Sequence, residues 1–198
     1  KQPQDKEKIT SYFEEVLNEA FLTNHTFCRK LEKAFDNLSP SHKSISCSSA
    51  TAGLEAVFRY LKVKNKAVLV QSNTFIATGH AIQAAGGVIV PIDISNEFVA
   101  SFEDIKNTIN KCKTDSISIG AVCIVNIAGR ASLDLIKIQE LCIEEKIPLV
   151  EDNAQGMLSK LNDKQLGTFS DFSVGSFQTT KVVACGEGGL IQVKDKED

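Results

Sequence analysis

The sequence predicts an α/β fold, three layers in α/β/α order around a mostly parallel sheet. Three observations lead there. Apolar, β-branched runs alternate with amphipathic helical segments along most of the chain. Several runs, 119–126 most clearly, are apolar at consecutive positions, as strands buried on both faces are. No internal repeat or low-complexity tract breaks the alternation.

Each element has its own signal. Residues 7–21 and 26–37 predict two helices, and Ile9, Phe13, Val16, Leu17 and Ala20 give the first an apolar stripe. Residues 1–38 are expected to form an N-terminal helical segment, and 39–198 the main domain. A short strand is expected at 44–47. Residues 50–62 form a helix, with Leu54, Val57, Phe58 and Leu61 at helical spacing. A strand at 67–71 leads to a helix at 75–85 that Gly86-Gly87 closes. The run 88–93 is apolar and β-branched and predicts a buried strand. Ser101 is placed to cap a helix reaching about Lys111. After the strand at 119–126, residues 133–146 predict a helix carrying Leu135, Ile138, Leu141 and Cys142. Strands at 148–152, 170–177 and 190–193 complete the set.

Composition narrows the function classes. The chain has 198 residues, 42% hydrophobic and 24% charged, enough for one domain with a real core. A net charge of −3 gives no general attraction to nucleic acid or to an anionic membrane. No apolar run approaches the roughly 20 residues of a membrane helix. The opening residues 1–8 are too polar for a signal peptide. The only Met is Met157 and the first residue is Lys1, which reads as a trimmed or partial gene product. Six cysteines, none in a C-x-x-C spacing, predict reduced thiols and a cytoplasmic protein. His25, His42 and His80 are too far apart in sequence to suggest a metal site, and they are read as surface or N-terminal-helix residues.

Chemistry concentrates near the C-terminus. Lys181 follows a small-residue strand and precedes the uncharged Val182-Val183-Ala184-Cys185, an unusual setting for an amine. Asp152 ends an apolar run, where ligands of parallel sheets gather. Gln155 follows on the same loop. Ser49-Ala50-Thr51-Ala52-Gly53 opens a helix directly after a strand, so backbone amides and the helix dipole can hold an anion there. Ser176 offers a second hydroxyl, and Phe75, after the next strand, a ring to stack on. Singly, each residue has a plain alternative: a surface Lys, a loop acid, a helix-start Gln, a Ser N-cap, a core Phe. As a set, they suit pyridoxal 5'-phosphate (PLP). That cofactor needs an amine for a Schiff base, an acid at its ring nitrogen, a donor at its ring oxygen and a phosphate cradle. Gly186-Glu187-Gly188-Gly189 precedes a strand, not a helix, which rules against a dinucleotide or P-loop reading and suggests a close backbone turn.

SATAGLEA at 49–56, QSNTFIAT at 71–78, EDNAQ at 151–155 and LGTFSDFSVGSFQTTK at 166–181 with the following GEGG resemble segments of the DegT/DnrJ/EryC1/StrS sugar aminotransferases. The resemblance spans about residues 22–193. It implies the large domain of the PLP-dependent transferase fold type I. Lys181 would carry the cofactor as a Schiff base and then shuttle a proton. Asp152 would pair with the ring nitrogen and Gln155 with the ring oxygen. Ala50, Thr51 and Ser176 would hold the phosphate, and Phe75 would cover the ring. No metal is implied. The implied substrates are a nucleotide-linked keto-deoxysugar and an amino-acid donor, usually glutamate, at the interface of a homodimer. Products of this kind serve lipopolysaccharide and other deoxyaminosugar biosynthesis. A dehydrating relative has His at the lysine position, and Lys181 argues against that branch. The segment Asn126-Ile127-Ala128-Gly129-Arg130 stands where many members have a His before the Gly, and His25-Thr26-Phe27 where Gly-Pro is common. Members continue into a small C-terminal domain, so this chain is expected to be the cofactor-binding part. The competing reading is a non-catalytic remnant of the same fold that serves as a binding or assembly module.

Overall fold

The computed structural model describes residues 3–19 and 23–195. Its centre is a seven-stranded sheet built from β1 (His42–Cys47), β2 (Ala67–Gln71), β3 (Val88–Ile92), β4 (Ile119–Val125), β5 (Leu149–Asp152), β8 (Phe172–Ser176) and β9 (Gly189–Lys194). The order across the sheet is β1-β9-β8-β5-β4-β2-β3. The pairs β3–β2, β2–β4, β4–β5 and β5–β8 are parallel, whereas β9 runs antiparallel to both β8 and β1. The mostly parallel expectation therefore holds, with β9 as the reversed strand. A two-stranded hairpin, β6 (Lys160–Leu161) and β7 (Lys164–Gln165), lies between β5 and β8 in sequence and went unpredicted. Each of its strands is only two residues long, too short for an alternating pattern.

The helices are α1 (Pro3–Asn18), α2 (Thr26–Leu38), α3 (Ala50–Tyr60), α4 (Ile76–Ala84), α5 (Phe102–Thr114) and α6 (Leu135–Glu144). Side chains of β4 alternate between two cores. Val122 and Ile124 join Ile105 and Ile109 of α5 with Leu135 and Ile138 of α6. Ala121, Cys123 and Val125 join Leu54 and Phe58 of α3 with Ile82 of α4. This makes the three layers, and each large side chain removed from water contributes about 1.5–3 kcal/mol. Local chemistry starts the helices where expected: Ser49 Oγ accepts from Ala52 N at 3.1 Å, and Ser101 Oγ accepts from Asp104 N at 3.2 Å.

Three expectations change in the folded chain. The strand at 88–93 is not buried: β3 is the last strand of the sheet, and Val88 is 55% exposed. An apolar run reads the same at an edge as at the centre, because neighbours and not sequence decide coverage. His42 is fully buried rather than on the surface. Its Nε2 lies 3.2 Å from Ser170 O and its Nδ1 3.0 Å from Ser41 Oγ, so the ring is satisfied on both sides. Burial pushes its pKa below the ordinary imidazole value. The apolar stripe of α1 forms on the helix, but Ile9, Phe13 and Leu17 all face solvent; Ala20 of that stripe lies outside the described residues.

The edge strand β1 is protected by α2. Asp36 Oδ1 accepts from Ser44 N at 2.7 Å, and Glu32 Oε1 accepts from Ser46 N at 2.9 Å. Carboxyl groups four apart on a helix thus meet amides two apart on a strand and take the place of a missing neighbour. Among the described residues, no helix is long and apolar enough to cross a membrane and no group of His, Cys, Asp and Glu could hold a metal ion. All six cysteines are free thiols.

Candidate active site

Three parallel strands end on the wall of one cavity of about 370 Å³: β4 at Val125, β5 at Asp152 and β8 at Ser176. The N-termini of α3 and α4 open on the same space. All seven residues singled out in the sequence line it, namely Ala50, Thr51, Phe75, Asp152, Gln155, Ser176 and Lys181. They come from four separate segments, which the parallel topology gathers at the C-terminal edge of the sheet.

Asp152 is 4% exposed. Its Oδ2 accepts from Thr78 Oγ1 at 2.7 Å and its Oδ1 from Ala154 N at 3.1 Å. Burial raises its pKa above the usual carboxylate value, while Thr78, the Ala154 amide and Lys181 pull the other way. An ionised carboxylate has about four acceptor sites, so two donors leave it able to bind another N–H. Gln155 is oriented by the left-handed turn after β4. Its Oε1 accepts from Ala128 N at 2.9 Å, at a residue with φ 51°. The Nε2 group therefore remains the donor of that amide.

One side of the cavity is the start of α3. Ser49 takes up the amides of Ala52 and Gly53, through its Oγ and its carbonyl respectively. The amides of Ala50 and Thr51 donate to no acceptor among the described residues. Two free amides at a helix N-terminus form an anion cradle. Gly189 lies against it: a Cβ there would come within 2.5 Å of the Ser49 carbonyl carbon and 2.7 Å of Ala50 N. The GEGG segment is thus the close backbone approach that its sequence suggested. Ser176 Oγ accepts weakly from Gln178 N at 3.4 Å, so its own hydroxyl hydrogen is available.

Lys181 stands on a loop whose stem is closed by Phe177 N donating to Gly188 O and Cys185 N to Phe177 O, both at 2.9 Å. Inside the loop, Lys181 N donates to Gln178 O at 2.9 Å, and Gln178 Oε1 accepts from Thr180 N at 2.9 Å. The lysine is therefore set by a stitched turn, not by a helix or strand. Phe75 is the N-cap of α4 and is 63% exposed at the cavity mouth.

Sequence reasoning missed Thr78 and Gln178. Thr78 does not stand at a strand end, where ligand residues were sought, and Gln178, two residues past the end of β8, was passed over between Ser176 and Lys181. Thr78 is inside a helix, and its role depends on β5, 74 positions away. The local signal is a small polar residue in the first turn of a helix. Glu187 also lines the cavity and had been read as part of a turn only.

A larger cavity, about 570 Å³, opens at the opposite end of the sheet between Tyr60, Phe169 and Phe172. Its lining includes Cys142, whose thiol is buried, with its pKa pushed up to about 12. That thiol is inert.

The donor set of the smaller cavity matches what PLP requires: a buried acid with spare acceptor capacity, a free amide N–H, an anion cradle and an amine. Comparison with known proteins agrees. The DegT/DnrJ/EryC1/StrS aminotransferase family model matches residues 3–198. A UDP-4-amino-4,6-dideoxy-N-acetyl-beta-L-altrosamine transaminase of Campylobacter jejuni is 32% identical over 150 residues, 76% of this chain and 39% of that protein. A GDP-perosamine synthase of Vibrio cholerae is 32% identical over 164 residues, 82% of this chain and 43% of that protein. Among solved structures, the Helicobacter pylori aminotransferase PseC superposes with a TM-score of 0.86 at 23% identity, covering 99% of this chain and 51% of that one. The Streptococcus pneumoniae protein Spr1654, solved in a PLP form, gives 0.81 at 24% identity, covering 92% and 49%. The chain spans half or less of the length of the curated relatives just named. With its sheet, its strand-end cavity and its matched segments taken together, the chain belongs to the DegT/DnrJ/EryC1/StrS aminotransferase family.

Proposed function

We propose that this chain is the cofactor-binding part of a PLP-dependent aminotransferase that aminates a nucleotide-linked keto-deoxysugar, with glutamate as amino donor. The observation that carries the reading is the free hydrogen-bonding capacity in the cavity. Asp152 has acceptor sites to spare, Gln155 has its Nε2 group, and the Ala50 and Thr51 amides have no acceptor among the described residues. These are the groups that an aromatic nitrogen, a ring oxygen and a phosphate would use.

PLP, when bound, supplies a protonated ring that draws electrons from the carbon next to the reacting amine. The chain supplies the rest. Asp152 holds a proton on the ring nitrogen. Gln155 Nε2 donates to the ring oxygen. The Ala50 and Thr51 amides, Thr51 Oγ1 and Ser176 Oγ hold the phosphate. Phe75 covers the ring and keeps water from it. Lys181 Nζ is the amine that anchors the cofactor and then takes and returns the substrate proton.

The sugar relatives support the substrate class. Phe75, its neighbour Ile76 and Val182 beside Lys181 are apolar and exposed. This fits a site completed by a second copy of the chain, as a homodimer. Cytoplasmic action on products bound for surface polysaccharide belongs to the same reading.

Absorbance tests it. The purified chain with added PLP should turn yellow, borohydride should remove the band, and Lys181→Ala should abolish it. A chain that stays colourless overturns the cofactor assignment. Bound PLP that glutamate cannot convert to its amine form would favour the alternative, a non-catalytic PLP-fold module.

A further inference from the structure

The Asp152 carboxylate does not hold its position alone. Thr78 sits on the first turn of α4 and is completely buried. Its hydroxyl points across to β5 and reaches Asp152 Oδ2 at 2.7 Å. Behind it, Thr74 Oγ1 lies 2.7 Å from Thr78 Oγ1. The direction of this chain follows from chemistry. An ionised carboxylate only accepts, so Thr78 spends its hydrogen on Asp152. Thr74 must then donate to Thr78. Successive donors polarise each other and strengthen the last bond.

We propose that Thr78, with Thr74 behind it, is a positioning residue that fixes the Asp152 carboxylate in the orientation a cofactor ring nitrogen would meet. This rests on the reading of Asp152 as the ring-nitrogen partner. The geometry is selective. With Oδ2 held by Thr78 and Oδ1 by Ala154 N, the carboxylate is tied at both oxygens and its rotation is blocked. The bond also opposes the main perturbation at this site. Burial disfavours the ionised form of Asp152, and Thr78 is the foremost influence restoring it. The other titratable groups that face this carboxyl are Lys181, from the loop after β8, and Cys123 on β4. The Cys123 thiol is itself pushed far up by burial and does not titrate in the working range. Glu187 shares the cavity. A Thr at position 78 serves better than the nearly isosteric Val only because of its hydroxyl, which no solvent reaches.

The test uses Thr78→Val and Thr78→Ser, with PLP itself as the probe. The dissociation constant of PLP is measured by titration from about pH 4 to pH 8. Thr78→Val should weaken binding about tenfold or more at neutral pH. It should also move the acid limb of the binding curve to higher pH, because Asp152 without its donor protonates sooner. Thr78→Ser, which keeps the hydroxyl, should restore both. Thr74→Val should move the limb the same way by less. Uniformly weaker binding with an unmoved acid limb would mean a merely structural role and overturns the proposal. So does a Thr78→Ser variant that behaves like Thr78→Val. If Thr78→Val does not fold, Thr74→Val decides: a shifted limb supports the pair and an unmoved one overturns it. Asp152→Ala separates the two levels. If it binds PLP as the parent chain does, the Asp152 assignment itself fails. If it loses PLP while Thr78→Val does not, only the role of Thr78 fails.

Discussion

Glu151 and Asp152 are adjacent carboxyl groups at the end of β5, and both are buried, yet their surroundings make them opposites. Glu151 is completely buried, and its oxygens accept from Asn126 Nδ2, Gly167 N, Phe169 N and Ser170 Oγ at 2.8–3.0 Å. Its acceptor capacity is filled by protein donors, and it ties the loop before β8 to the end of β4. Asp152 accepts from two donors and faces the cavity. Alternation along the strand sends the neighbours to opposite faces. One face offers a loop rich in free N–H groups, the other an open space. A saturated carboxyl builds structure, and an unsaturated one is available for binding.

The contrast is broken or sharpened by three substitutions, beginning with the largest effect. Glu151→Ala leaves the Gly167 and Phe169 amides and one Asn126 N–H without an acceptor in a dry interior, while Ser170 Oγ keeps Phe172 O at 2.8 Å. We expect a loss of about 3–5 kcal/mol in denaturant unfolding, enough to threaten folding. A loss below about 1 kcal/mol would mean that the Glu151 network is not structural. Ser170→Ala removes one of the four donors and should cost about 1–2 kcal/mol, with PLP affinity unchanged. A change in PLP affinity without a stability loss would break the distinction between the two sides of β5. Asp152→Asn should have the smallest effect on stability and the opposite sign. The folded chain penalises the ionised form of Asp152, so the amide should be as stable as the parent or more so, by up to about 1 kcal/mol near neutral pH, while PLP binding falls.

The pH dependence of that last effect has a definite sign. The pKa of Asp152 is raised above 3.8 in the folded chain. Between 3.8 and that higher value the folded state holds more protons than the unfolded state, so the contribution of Asp152 to stability falls as pH rises. The advantage of Asp152→Asn should therefore grow on raising the pH through this acidic window and level off above it. Melting curves of the two proteins at matched pH would measure it. An advantage that is flat with pH would contradict the raised pKa.

Much of the site could be read before folding because its residues mark the ends of predictable strands. Asp152, Ser176 and the Ser49 helix start all follow apolar runs, and a parallel sheet brings such ends to one edge. Gln178 escaped although its partners Thr180 and Lys181 are close in sequence, because only the folded turn joins them, and Thr78 because its partner is 74 positions away. A hydroxyl within a helix shows nothing of the carboxylate it will meet, and a Gln among Thr residues shows nothing of the turn it will stitch. The edge position of β3 and the burial of His42 escaped for the same reason. Both depend on which strand lies alongside.

Periodicity and strand-end chemistry, both local properties, were enough to determine from the sequence the three-layer class, most helix and strand positions, the two helix caps and residues that line the strand-end cavity. Tertiary structure alone decided the strand order, the reversal of β9, the exposure of the α1 stripe and the division of labour between Glu151 and Asp152. Those depend on hydrogen bonds and packing between segments tens of residues apart, where the energy of each contact belongs to a pair and neither member carries it in its own sequence.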